Sequence, residues 1–294
     1  MAGFLYVLAA AFMWGLIGVF TKYILVEGIS ALEIAFWRAS FAWLMFLIHA
    51  SVKKQLKVQR ADLPILLGFG FICVTMFYSS YQLAIRDVGI ALAAVLLYTA
   101  PAWVALLSWL VLKEEMTVTK AACVIMTILG VTCISLGPQL LSGADFDLNW
   151  LGLIAGLVAG FTYALYYIFG KKFLSRYATP TIFVYALPFG AALLLPFVDF
   201  APKSGQAWLL LIGLALVTSY GAFSVYYEGL KRLEATKASI IATFEPVVAS
   251  VFAYFLFGEK FSLFGYAGAS LIILAVFMVV LSGTKPSRAA GEEG

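Results

Sequence analysis

Of the 294 residues, 64% are hydrophobic and 12% charged, with a mean hydropathy of +1.01, whereas a soluble domain has roughly 45–50% apolar and 25% charged residues. No hydrophilic stretch is long enough for a separate globular unit, so composition excludes a soluble fold and leaves one membrane domain. The net charge of +4 points to no nucleic acid, because Lys and Arg lie in short clusters flanking apolar runs, where membrane topology accounts for them.

A helix crossing about 30 Å of hydrocarbon needs roughly 20 residues. In chain order, stretches of that length run over 4–26, 31–50, 62–84, 88–112, 119–137, 149–170, 179–199, 206–230, 236–257 and 262–282. The first has no basic flank and reads as a retained span rather than a cleaved signal. Leu63–Ile85 and Val88–Leu112 are continuously uncharged, unlike the alternating strands of a barrel. The sequence therefore predicts an all-α polytopic membrane protein with ten transmembrane helices in contact with the lipid bilayer.

Placing the N-terminus in the cytoplasm puts Lys53, Lys54, Lys57, Arg60, Lys113, Lys120, Lys171, Lys172, Arg176, Lys231, Arg232, Lys237, Lys285 and Arg288 inside. Only Lys22, Arg86, Lys203 and Lys260 then lie outside. This asymmetry predicts that both termini are cytoplasmic.

An internal repeat emerges at an offset of 145, which pairs 96–117 with 241–262, Pro101 with Pro246, Glu114 with Glu259, Gly68 with Gly213 and Tyr81 with Tyr226. At an offset of 149, Phe12 meets Phe161, Trp14 meets Tyr163 and Phe20 meets Phe169. The predicted units are 1–142 and 143–284, each of five helices, followed by a disordered cytoplasmic tail at 285–294. An odd number of spans per unit inverts the second copy, an arrangement suited to alternating access.

The doubled pattern of a mid-helix proline and a terminal glutamate, together with FWRASFAWL at 36–44, resembles the drug/metabolite transporter superfamily in its EamA-type branch. Within that branch the aromatic load looks most like the bacterial YddG-type exporters of aromatic amino acids. The resemblance implies export of small metabolites across the bacterial inner membrane, with aromatic and other neutral amino acids as substrates. One departure is Lys113-Glu114-Glu115 in the first repeat against Gly258-Glu259-Lys260 in the second.

Several residues are candidates for the pathway. Pro101 and Pro246 cannot donate to the carbonyls of Leu97 and Ala242, so each helix offers a free acceptor near its middle, with a packing kink as the alternative. Glu245 stands beside one of these prolines, where a carboxylate facing lipid is costly. It reads either as a protonated structural group or as a site for an ammonium or a proton. Tyr78, Tyr81 and Gln82 share a face of the third helix, and Tyr163 lies on an aromatic face of the sixth. Tyr98 and Thr243 are repeat mates preceding the prolines, and Trp14, Phe20 and Trp103 add flat apolar surface. Arg38, in the outer part of the second span, favours a structural role, and His49 an interfacial one. Gly152, Gly156 and Gly160 form a ridge for close helix packing.

Cys73, Cys123 and Cys133 have neither CxxC spacing nor a nearby histidine, and no Walker, GxSxG or HExxH sequence occurs. The expectation is a monomeric transporter without cofactor or metal, coupled to protons or working as a uniporter. An integral-membrane enzyme using Glu245 and Arg38 is the rival reading, and a channel would need a ring of pore charges.

Overall fold

The computed structural model describes residues 1–143, 149–258 and 262–284. Glu259, Lys260 and the predicted tail at 285–294 lie outside the described residues. The described elements are all helical: α1 (Ala2–Leu25), α2 (Ala31–Val52), α3 (Leu63–Leu97), α4 (Ala100–Leu112), α5 (Val118–Ser142), α6 (Trp150–Phe173), α7 (Thr179–Phe197), α8 (Gly205–Leu230), α9 (Ala235–Phe257) and α10 (Leu263–Thr284). Among the described residues, nine helices are long and apolar enough to cross a membrane, and α4 is a shorter apolar helix.

Helix starts follow from polar residues placed just before apolar runs. Ser30 accepts from Glu33 N at 3.2 Å, Thr117 from Lys120 N at 3.3 Å, Asn149 from Leu151 N at 2.9 Å and Ser204 from Ala207 N at 3.0 Å. Each bond satisfies a backbone donor that the helix itself leaves unpaired.

The predicted spans 62–84 and 88–112 are divided differently here. Helical hydrogen bonding runs through Leu63–Leu97, but Gly89 has a φ of 81° and a ψ of 162° and turns the chain inside it. Without a Cβ, glycine adopts that conformation freely. The helix then ends at Tyr98–Thr99, and α4 begins at Ala100. Helix α9 breaks in the same way, between Ala242 and Glu245. Pro101 and Pro246 therefore occupy the first turn of a new helical piece, where a missing N–H is harmless. The expected kinks are complete breaks.

Three helices contain a π-helical stretch: Phe71–Met76 in α3, Ser108–Leu112 in α4 and Ala215–Gly221 in α8; the first and last correspond at the 145-residue offset. The predicted glycine ridge of α6 receives the last part of α3. A Cβ on Gly160 would stand 2.6 Å from Leu96 O and 2.7 Å from Thr99 Oγ1, and one on Gly156 would meet the Leu96 side chain. Only glycine permits this approach, which sets the break at Tyr98 against the middle of α6. Leu5, Ile48, Leu209, Phe255 and Phe277 are exposed on the outside of the bundle, a surface suited to lipid.

Candidate functional site

A cavity of about 410 Å³ lies between α1, α2, α3, α6, α8 and α9, within the usual range for small-molecule sites. Its exposed liners, Leu25 and Ile90, mark its mouth at the end of the bundle where α1 meets α2 and Gly89 turns the chain. Trp14 and Tyr166 are buried liners, and Tyr98, Tyr163, Phe223 and Glu245 are half-buried ones.

The breaks in the helices place the polar groups. Glu245 opens the second piece of α9, where the partial positive charge of a helix N-terminus favours a carboxylate. It interacts with the Arg38 guanidinium and the Tyr98 hydroxyl. Arg38 lines the same cavity from α2. Its Nε donates to Ser219 Oγ at 2.6 Å and its Nη2 to the Thr218 carbonyl at 3.2 Å, both in the π-helical stretch of α8. One guanidinium and one carboxyl group thus share a site otherwise lined by aromatic and aliphatic side chains, with Thr21 and Gln82. Phe77 stacks on Tyr163 at 5.5 Å between centroids, and Tyr166 stacks on Phe223 at 5.6 Å. This combination offers hydrogen-bonding groups at two points and flat apolar surface between them.

Of the residues singled out from sequence, Trp14, Tyr78, Tyr81, Gln82, Tyr98, Tyr163 and Glu245 line the cavity. The others sit elsewhere. Phe20 packs against Gly213 and an apolar cluster on α8. Trp103 meets Phe161 edge-on at 5.4 Å. Thr243 is buried and donates to the Ile240 carbonyl at 2.5 Å. Pro101 and Pro246 shape the breaks without lining the cavity. The Leu97 carbonyl, expected to be a free acceptor, lies against Gly160.

Arg38, for which the sequence favours a structural role, makes such bonds to α8 and also lines the cavity. The overlooked liners have a recognisable signal in the repeat. Phe223 is the mate of Tyr78 at offset 145, and Ile17 is the mate of Tyr166 at offset 149. His49 receives or donates a bond at 3.0 Å with the Tyr220 hydroxyl. Among the described residues, no group of three or more His, Cys, Asp or Glu side chains is placed to hold a metal ion.

Polar contacts join α4 and α5 to the start of α9 at the opposite end of the bundle. Glu114 accepts from Ala235 N at 2.6 Å and from the Thr236 hydroxyl at 2.9 Å, and Lys120 pairs with Glu234 at 3.0 Å. Burial alone would raise the Glu234 carboxyl, but hydrogen bonds from Lys237 and Lys120, and their charges, hold it below its ordinary value.

A helical bundle with nine candidate membrane spans around a small-molecule cavity defines a polytopic membrane protein of the transporter class. The EamA-like transporter family model matches residues 1–136 and 150–281, and the chain belongs to that family. It is 31% identical over 275 residues to an uncharacterized transporter of Archaeoglobus fulgidus, with 92% of this chain and 94% of the relative covered. It is also 26% identical to the uncharacterized inner membrane transporter YicL of Salmonella typhimurium, with 98% of each chain covered. A solved crystal structure at 17% identity superposes with a TM-score of 0.83 over 95% of this chain and 96% of the other, a likeness of fold. The protein is a membrane transporter, not an enzyme.

Proposed function

We propose that the protein exports neutral amino acids, aromatic ones included, as the YddG-type exporters do, by alternating access about the central cavity. The observation that carries this reading is the pair Arg38 and Glu245. They reach one largely apolar cavity from the two halves of the chain, as groups suited to a substrate carboxylate and ammonium. Glu245 has Ala100 at the equivalent position of the first repeat, so the charge is a departure from symmetry that the scaffold alone does not require. A cavity of this size with few fixed charges selects weakly among side chains, since one methylene changes binding by only about 1–3 kcal/mol.

In this reading the units are 1–142 and 143–284, and the two proline breaks, the corresponding π-helical stretches of α3 and α8 and the two segments matched by the family model support their equivalence. Counting 63–88 and 90–112 as separate spans on either side of Gly89 gives ten crossings. The excess of Lys and Arg then orients both termini to the cytoplasm of a bacterial inner membrane, where the protein works as a monomer. The cavity mouth faces outward.

Counterflow tests the reading. Purified protein in liposomes preloaded with unlabelled phenylalanine is expected to accumulate labelled phenylalanine, tryptophan and methionine transiently. Passage of sugars or nucleotides without any amino acid would overturn the substrate class and leave the transporter fold intact.

A further inference from the structure

Beneath the cavity lies a layer of buried rings, and beyond it a contact that substrate binding does not use. Trp14 and Tyr226 stand 5.2 Å apart between centroids, and Tyr167 and Tyr226 stand 5.5 Å apart. Past them, Glu114 reaches from the end of α4 to the start of α9. Its Oε1 accepts from Ala235 N at 2.6 Å, and its Oε2 accepts from Thr236 N at 3.2 Å and from Thr236 Oγ1 at 2.9 Å.

This placement has a local cause. Lys113 is left-handed, with a φ of 58°, and turns the chain back after α4 so that Glu114 N donates to Ser108 O at 3.1 Å. Helix α9 lacks a side-chain cap of its own, because Glu234 at its N-cap makes no such bond. The first half of the chain supplies the missing acceptor to a helix of the second.

We propose that the Glu114 carboxylate, seated on the N-terminus of α9, is the latch that closes the transport path at this end, released and remade in each cycle. The proposal rests on the alternating-access reading. Its chemistry suits a reversible closure. A carboxylate on unpaired backbone donors gains charge-assisted bonds and the favourable helix dipole, yet both partners find water once they separate. A second observation points to opening at this end. Tyr226, only 2% exposed, has a hydroxyl with no hydrogen-bond partner among the described residues. A buried polar group is normally paired, and this one gains a partner when water or substrate enters between the cavity floor and the latch.

Two cysteine reporters test it in the full chain with Cys73, Cys123 and Cys133 replaced by alanine. Ser239→Cys lies one turn into α9 at a position 1% exposed, whereas Ile90→Cys lies at the cavity mouth, 72% exposed. In detergent, Glu114→Gln is expected to speed maleimide labelling at Ser239→Cys by about tenfold, the loss of roughly one charge-assisted bond. Labelling at Ile90→Cys is expected to slow in the same variant. Thr236→Val, which removes the hydroxyl that donates to Glu114, should give a smaller change in the same directions. General loosening of the fold would speed Ser239→Cys without slowing Ile90→Cys, and that result overturns the latch. So do parent rates at both reporters in Glu114→Gln and Glu114→Ala. Addition of phenylalanine to the parent reads the underlying proposal separately: if it shifts neither reporter, the substrate assignment fails, while the Glu114 variants still decide the latch.

Discussion

Lys113 and Gly258 occupy equivalent positions in the two halves and share one left-handed backbone, with φ of 58° and 68°. A lysine in one and a glycine in the other thus adopt the same φ region. Only glycine adopts that region without steric cost, and a residue with a Cβ forfeits about 1 kcal/mol or more there. Lys113→Gly is therefore expected to raise the thermal midpoint of the purified protein in detergent, and Gly258→Ala to lower it, each by the equivalent of about 1 kcal/mol. A lower midpoint for Lys113→Gly would show that the lysine side chain contributes more than its strain costs.

The loop before α8 is tied to α2 by an ion pair with both partners buried. Glu33 is 0% and Lys203 5% exposed in their side chains. Glu33 also accepts from Trp37 Nε1 and from Ala201 N, each at 3.1 Å. The ammonium lies 5.5 Å from the Trp37 ring and 5.3 Å from the Trp208 ring. Removing one partner strands a buried charge, so Glu33→Gln or Lys203→Met is expected to cost about 3–5 kcal/mol. The double variant should recover part of that loss, because no unpaired charge remains. Thermal unfolding of the four proteins in one detergent gives the coupling, and strictly additive losses would argue against a direct pair.

Transport kinetics separate the cavity from its scaffold. Arg38→Lys keeps the charge but loses the planar fork that reaches both Ser219 and Thr218, and is expected to raise KM for phenylalanine about tenfold. Tyr78→Ala and Tyr98→Ala should cut transport without lowering membrane expression. Trp103→Ala, away from the cavity and against Phe161, should lower stability more than it alters KM. Trp109→Ala, 55% exposed, should matter little to either.

Glu245→Gln distinguishes two modes of coupling. Under uniport, downhill flux is expected to persist in the variant. Under proton exchange, any dependence of uptake on a pH gradient should vanish. Uphill accumulation by the parent protein driven by a proton gradient rules out uniport.

Acid should loosen the closed end through Glu234. Its carboxyl lies below the ordinary value of 4.5, so its contribution to closure is fully present above that pH and is lost as pH falls through the lowered value. The charges around it are Lys120 from α5, Lys237 from α9 and, through electrostatic interaction, Lys171 from α6. Labelling at Ser239→Cys, corrected for the reagent's own pH dependence, is expected to rise below that range in the parent. Glu234→Gln should label fast at neutral pH and flatten the profile.

Topology is open to a direct measurement. Cysteines placed at Ser204 and Ser175, both exposed, lie at opposite ends of α7 and its following loop. An impermeant reagent added to intact cells is expected to modify Ser204→Cys and spare Ser175→Cys. The reverse pattern overturns the orientation.

Composition and the spacing of apolar runs were enough to determine an all-helical membrane protein, because hydrocarbon leaves a chain so poor in charge few other ways to satisfy its backbone. The offsets at 145 and 149 likewise drew attention to the two prolines and to several tyrosines that line the cavity, since helical periodicity assigns residues to a common face. Depth of burial and direction across the bundle were not. Arg38 read as a structural residue of the outer second span, and a linear pattern cannot show that Ser219 and Thr218 accept from it on α8 or that it lines the cavity. Trp103 and Tyr98 looked alike as aromatics near Pro101, yet the break at Tyr98–Thr99 directs one toward Glu245 and the other toward Phe161. Glu114 read only as a repeat mark until the left-handed turn at Lys113 brought it to α9, 121 residues along the chain from Ala235. Contacts between distant helices depend on backbone breaks and close glycine approaches, and those arise only when the helices pack.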